Sequence, residues 1–177
     1  MKIDEVVDKR FPGKVYLDMD GVLADFFGAW SRMSGVNHYK DINNVEAKLQ
    51  LIREHPSFWV DLPPLPNAFK LIQTVRQLYG EYYICSKPLE GDPRSSPGKQ
   101  AWIRQHLSSM PPAGVVLTAS KAEYATNAGV PNILVDDYGV NINQWQQAGG
   151  IGIHYEDHSF DRVRRSLTSL AKRGDFL

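Results

Sequence analysis

Two aspartates, Asp18 and Asp20, follow the apolar run Val15-Tyr16-Leu17, and Gly21 comes directly after them. A short, unbroken apolar run reads as a strand covered on both faces. In an open α/β sheet ligands gather beyond the carboxyl ends of the strands, so Asp18 faces a cleft. Asp20 reaches the same ligand only if the backbone turns sharply, which Gly21 permits. Two carboxylates this close repel each other, and a hard, oxygen-seeking cation such as Mg²⁺ relieves the repulsion. An Asp-x-Asp standing alone reads more simply as a solvated acidic turn. The weight lies in what recurs further along the chain.

Three later apolar runs end in polar residues suited to the same chemistry. Ile84-Cys85 leads into Ser86-Lys87-Pro88, Val115–Leu117 leads through Thr118-Ala119-Ser120 to Lys121, and Ile133–Val135 leads into Asp136-Asp137. Each has a bland reading of its own. Ser86 caps local backbone, Lys121 is a surface lysine, and the Asp136–Asp137 pair is a helix N-cap. Their joint occurrence, each at a predicted strand end, favours a single polar site.

The elements needed to position these residues are visible as alternation. Strands are predicted at Val15–Leu17, Tyr82–Cys85, Val115–Leu117, Ile133–Val135 and Ile151–Ile153. Helices are predicted at Pro66–Tyr79, Pro97–Leu107, Lys121–Ala128, Asn141–Gln147 and Phe160–Leu170, an α/β pattern with a mainly parallel sheet. More than one crossover helix separates the first two strands, with helical patterns at Ala24–Met33 and Val45–His55. Residues 24–65 therefore read as a small helical cap inserted after the first strand, returning through Leu62-Pro63-Pro64-Leu65-Pro66; residues 1–23 and 66–177 form the core. The tail Lys172–Leu177 reads as frayed.

Composition bounds the partners. The chain has 177 residues, the size of one domain, with 20 basic and 20 acidic residues. That balance argues against tight binding to duplex nucleic acid or an anionic membrane, and leaves a small anionic ligand open. The acidic N-terminal stretch and the lack of a long apolar run point to a soluble cytoplasmic protein. Cys85 is the lone cysteine, which excludes an intrachain disulfide and fits a reducing compartment. Phe26, Phe27, Trp30, Phe58 and Trp59 concentrate aromatic surface in the cap, either as its small core or as a slot for a base. The same surface, if exposed on a neutral chain, leaves room for a homodimer.

The string Asp18-Met19-Asp20-Gly21-Val22-Leu23-Ala24-Asp25-Phe26, with the three later strand ends, resembles the haloacid dehalogenase-like (HAD) phosphohydrolases, and within them the 5′(3′)-deoxyribonucleotidase branch. Lys99 and Trp102 echo a Lys-x-x-Trp of that branch. The resemblance implies a Rossmann-like, five-stranded parallel sheet of order 3-2-1-4-5 and a Mg²⁺-dependent phosphomonoesterase acting on nucleoside 5′- or 3′-monophosphates. It implies Asp18 as nucleophile, Asp20 as acid/base, Ser86 and Lys121 on the phosphate, and a metal held by Asp18, Asp20 (through its carbonyl), Asp136 and Asp137. Phe26 would lie near the base, with Trp59 and Lys87 as further substrate contacts. Two departures bear on substrate identity: Cys-Ser-Lys-Pro stands where the branch has Cys-Thr-Ser-Pro, and Thr-Ala-Ser-Lys where it has Thr-Arg-x-Lys. The rival readings are a phosphatase of another small phosphate or a polynucleotide end, and a nucleotide-binding protein without turnover.

Overall fold

The computed structural model describes residues 11–172. The readings made on the first ten residues and on the frayed tail beyond Lys172 lie outside them, while Lys172 itself closes the last helix. Five strands form one parallel sheet: β1 (Val15–Leu17), β2 (Tyr83–Ser86), β3 (Gly114–Leu117), β6 (Ile133–Asp136) and β7 (Ile151–His154). Their order is β3-β2-β1-β6-β7, which is the expected 3-2-1-4-5 once a small hairpin is set aside. The order reverses at β1, so β1 and β6 flank the switch point at which such sheets bind ligands. Both are buried along their length, as their unbroken apolar sequences require. β3 is different: as an edge strand it is half covered, and Val115 is 40% exposed.

Helices α3 (Ala68–Tyr79), α4 (Ser95–His106), α5 (Gly139–Gln147) and α6 (Phe160–Lys172) flank the sheet. Leu71, Ile72 and Val75 of α3 recur at helical spacing and are fully buried against the sheet. The odd-numbered side chains of β1, Val15 and Leu17, enter this main core. Tyr16 points the other way, into a smaller cluster with Cys85, Leu134, Ile142 and Trp145, as strand alternation demands.

The helix expected at Lys121–Ala128 is not formed. A 3₁₀ turn at Lys121–Tyr124 gives way to an antiparallel hairpin of β4 (Thr126–Asn127) and β5 (Val130–Pro131). Ala128 and Gly129 both have positive φ, at 50° and 82°, the requirement of a two-residue hairpin turn whose twist matches its strands. Asn132 fixes the exit by donating to the Tyr124 carbonyl and accepting from the Lys14 amide.

Between β1 and α3 the chain forms α1 (Phe26–Ser34) and α2 (Val45–Glu54). Asp25 caps α1, its carboxylate accepting from the Gly28 amide at 3.0 Å. The outgoing and returning segments of this insert run side by side. The Asp25 amide donates to the Pro63 carbonyl and the Leu65 amide to the Leu23 carbonyl, each at 2.8 Å. Phe26, Trp30, Phe58 and Trp59 are all at least nine-tenths buried in the main core. Of the five aromatics that left room for a homodimer, Phe27 alone is only partly buried; the single chain covers the other four. Among the described residues no helix is long and apolar enough to cross a membrane.

Candidate active site

Asp18 is the first residue past β1, and its amide continues the ladder onto the Val135 carbonyl at 3.0 Å. Its carboxylate is thereby held at the carboxyl edge of the sheet, beside the end of β6. Behind it the chain turns at once, with the Leu23 and Ala24 amides both donating to the Met19 carbonyl. Gly21 makes this turn possible for two reasons. Its φ is +79°, and a Cβ there would lie 2.2 Å from an Asp137 carboxylate oxygen. The glycine is thus required by the turn and by the acid that occupies the space a side chain would take.

Asp136 ends β6 and Asp137 follows it. Oxygens of Asp18, Asp136 and Asp137 all lie within 4.8 Å of one another. Lys121 sits between two of them, its Nζ 2.8 Å from Asp18 Oδ1 and 2.7 Å from Asp136 Oδ2. Burial works against its ammonium, but the two carboxylates outweigh burial and hold it above the usual lysine range. Asp136 is further satisfied by the Tyr138 amide at 2.8 Å and the Asn141 side-chain amide at 3.0 Å. For Asp137 only its own backbone amide opposes the charge of its neighbours. Burial, reinforced by Asp18 and Asp136, pushes its carboxyl up to about 8. Three carboxylates and one lysine leave excess negative charge in a partly dry site, and all the donors are oxygens. This donor set fits a hard divalent cation of the Mg²⁺ kind.

Ser86, at the end of β2, is fully buried, and its hydroxyl has no hydrogen-bond partner. A buried hydroxyl left unpaired is costly, and such an orphan marks where a ligand oxygen fits. Cys85 next to it points to the opposite face of the sheet, where burial pushes its thiol up to about 12. It is therefore no nucleophile at neutral pH.

Asp20 faces a cavity of about 330 Å³ that is also lined by Phe26, Trp59, Lys87, Leu89 and Arg53. Burial raises its carboxyl above the ordinary range and Asp18 adds to the rise, while Lys99 pulls it back. Phe26 and Trp59 stack on each other with centroids 5.7 Å apart and planes 19° apart. Trp30 and Phe58 pack behind Phe26 and do not reach the cavity, consistent with a core role. Lys87 is exposed at the cavity mouth, and Glu90 lines it too. A cavity of about 540 Å³ between β7 and α6 holds none of the carboxylates of this site.

The structure thus brings Asp18, Asp20, Lys121, Asp136 and Asp137 together with Ser86 at the ends of β1, β2 and β6, and sets Phe26, Trp59 and Lys87 around the adjoining cavity. Lys99 was legible only as half of a Lys-x-x-Trp pair, yet its Nζ lies 2.7 Å from Asp20 Oδ2. Asp92, between β2 and α4, is buried and accepts from Trp59 Nε1 at 2.7 Å. The spacing of Lys99 and Trp102, on one face of a helix, was the signal that could have found the first; nothing local announces the second.

Known proteins share this arrangement of chain. The human cytosolic 5′(3′)-deoxyribonucleotidase is 26% identical over 145 residues, covering 70% of each chain. A putative 5′(3′)-deoxyribonucleotidase of Bordetella pertussis is 31% identical over 129 residues, 60% of this chain and 67% of that one. In fold, a HAD family enzyme of Bacteroides thetaiotaomicron, solved as a magnesium complex, matches with a TM-score of 0.52 at 13% identity, over 86% of this chain and 98% of that one. Residues 13–166 match the family described as 5′ nucleotidase, deoxy (Pyrimidine), cytosolic type C protein, and the chain belongs to that family of phosphoric monoester hydrolases.

Proposed function

We propose that this enzyme hydrolyses nucleoside monophosphates, deoxyribonucleotides foremost, through an aspartyl-phosphate on Asp18. The observation that carries the reading is the meeting of the Asp18, Asp136 and Asp137 carboxylates, two of them bridged by Lys121, next to a cavity that Asp20 shares with two aromatic rings. Asp18, held at Oδ1 by Lys121, attacks phosphorus along the line of the ester bond. Asp20 gives a proton to the departing alkoxide and later takes one from the water that cleaves the acyl phosphate. Ser86 donates its free hydroxyl to a phosphate oxygen, and Lys121 balances charge on the transferring group. The Asp18, Asp136 and Asp137 carboxylates, with the Asp20 carbonyl, would hold Mg²⁺, which supplies charge neutralisation of the phosphoryl oxygens.

Residues 24–65 act in this reading as a cap, and Phe26 and Trp59 present ring surface to the base or sugar. Support for a nucleotide comes from those rings and from the names of the two nucleotidase relatives. Lys87 gives the slot a cation where the branch has a small hydroxyl residue, and it favours an anionic ligand there. The reducing cytoplasm suits the single, buried, free Cys85.

The test is phosphate release from a panel of nucleoside monophosphates and sugar phosphates, with Mg²⁺ and with excess chelator. Metal-dependent release, fastest on deoxyribonucleotides, is expected. Equal rates on glucose phosphates and thymidine monophosphate would sink the nucleotidase reading, and binding without release from any substrate would leave a nucleotide-binding protein.

A further inference from the structure

No step above uses Lys99, although it is a charged side chain with only 1% of its surface exposed. An ammonium so deeply buried is tolerated only when paired, and the pairing here is with Asp20 Oδ2 at 2.7 Å. The ammonium also lies 4.6 Å from the centre of the Trp59 ring, on whose face a cation is attracted. Its stem is fixed by α4. One turn on, Trp102 is fully buried and donates its Nε1 to the Leu62 carbonyl at 2.7 Å, so the helix is tied to the returning segment of the insert. Trp59 in turn is held by Asp92 at 2.7 Å. Lys99 therefore stands where core, insert and acid meet.

The two oxygens of Asp20 are not equivalent. Oδ2 is occupied by Lys99, whereas Oδ1 is buried with no hydrogen-bond partner. An acid that must deliver a proton along one direction needs its carboxyl plane fixed, and the Lys99 contact fixes it. We propose that Lys99 is a positioning residue for proton transfer, holding the Asp20 carboxyl through Oδ2 in the orientation from which it protonates the leaving oxygen.

This inference rests on the hydrolytic reading of the site. In the step concerned, a bond forms between an Asp18 carboxylate oxygen and phosphorus, and the ester P–O bond breaks. The electron pair of that bond stays on the leaving oxygen, which takes the proton from Asp20 and departs as an alcohol. The carboxylate that remains on Asp20 is then balanced by the ammonium already at hand.

Leaving groups that need no proton separate this role from a structural one. Single-turnover release of nucleoside from a nucleoside monophosphate is compared with release of p-nitrophenolate from p-nitrophenyl phosphate, for wild type, Lys99→Met, Lys99→Arg and Asp20→Asn. Lys99→Met is expected to slow nucleoside release about 100-fold, the lower range for a lost general acid. It should slow p-nitrophenolate release by no more than about fivefold, since nitrophenolate departs unprotonated. Asp20→Asn should show the same split, and Lys99→Arg should recover most of the nucleoside rate. If Lys99→Met slows both leaving groups equally, or raises KM alone, Lys99 serves packing or phosphate binding and the inference fails. Should Lys99→Met not fold, Lys99→Gln carries the same comparison. A wild-type enzyme inert on both substrates overturns the hydrolytic reading itself, and the inference falls with it, a result distinct from an unsplit Lys99 variant.

Discussion

The carboxylate floor of the site and its aromatic wall are built in opposite ways. The floor consists of residues that directly end strands: Asp18 after β1, Ser86 on β2, Asp136 and Asp137 at β6. Neighbouring backbone hydrogen bonds set their positions, and Lys121 bridges two of them within 2.8 Å. The wall consists of Phe26 and Trp59, at opposite ends of the insert, brought to 5.7 Å by packing and tied to the core through Asp92 and Lys99. Under the proposed function the floor would act on any phosphate monoester, whereas the wall would meet only the rest of the substrate. Changes in the floor should therefore cut turnover on every substrate alike, and changes in the wall should discriminate among substrates.

Asp18→Asn gives the largest expected effect. Removing the nucleophile should lower phosphate release by on the order of 10⁴-fold or more, for nucleotide and non-nucleotide substrates together. The fold should persist, because Lys121 keeps its bond to Asp136 and a carboxylate repulsion is removed. Steady-state assays beside thermal melts check this, and a variant with a tenth of wild-type activity would remove Asp18 from the chemistry. Lys121→Met comes next. It leaves Asp18 and Asp136 buried without their shared cation, which costs about 3–5 kcal/mol when one partner of a buried pair is lost. At roughly 2–4 °C per kcal/mol for a chain of this size, Tm should fall by about 6–20 °C. Activity should drop about 100- to 1000-fold, the range for losing a donor that stabilises transition-state charge. An unchanged Tm would show that the three groups are not coupled as drawn.

The floor also sets a pH dependence with a defined sign. Burial, with Asp18 and Asp136 beside it, lifts the Asp137 carboxyl from the ordinary carboxylate range, roughly 4, to about 8. In the metal-free protein the folded state thus holds a proton that the unfolded chain releases between those values. Stability contributed by that proton is present below about pH 4 and is lost as pH rises towards 8. Thermal melts in chelator should show Tm falling from pH 5 to pH 8, and saturating Mg²⁺ should raise Tm more at pH 8 than at pH 5. A chelated protein whose Tm is flat across this range would contradict the crowding of charge described for the floor.

How legible each region was in sequence follows from the same contrast. The floor could be read in advance because a strand end is a local feature: an apolar run, then an acid or a hydroxyl. The sheet order was legible for the same reason, each strand being a short unbroken run. Wall contacts depend on residues far apart in sequence, 33 positions in the case of Trp59 and Asp92. Phe26 and Trp59 could be recognised as aromatic, but their mutual stacking could not. The missed hairpin after Lys121 is intermediate. Its signal, Asn127-Ala128-Gly129, is local, but alanine at a positive φ is disfavoured and so concealed the turn. Lys99 shows how helical spacing can reveal that two residues share a face without revealing which acid one of them meets.

Trp59→Phe has the smallest effect and bears most directly on the contrast. Phenylalanine keeps a ring beside Phe26 and beneath the Lys99 ammonium, so the stack survives in reduced form. What it loses is the Nε1 donor to Asp92, leaving a carboxylate that is 7% exposed without that hydrogen bond. Losing a hydrogen bond to a charged group costs about 1.5–3 kcal/mol, which should appear as a Tm lowered by roughly 3–12 °C. Turnover at saturation should change by less than about threefold, since no group of the floor moves, while KM for nucleoside monophosphates should rise about fivefold through a looser ring. KM for p-nitrophenyl phosphate, which has no base to place, should stay within about twofold by the same reasoning. A parallel rise in both KM values would mean that Trp59 supports the phosphate site, and that floor and wall are one structure rather than two.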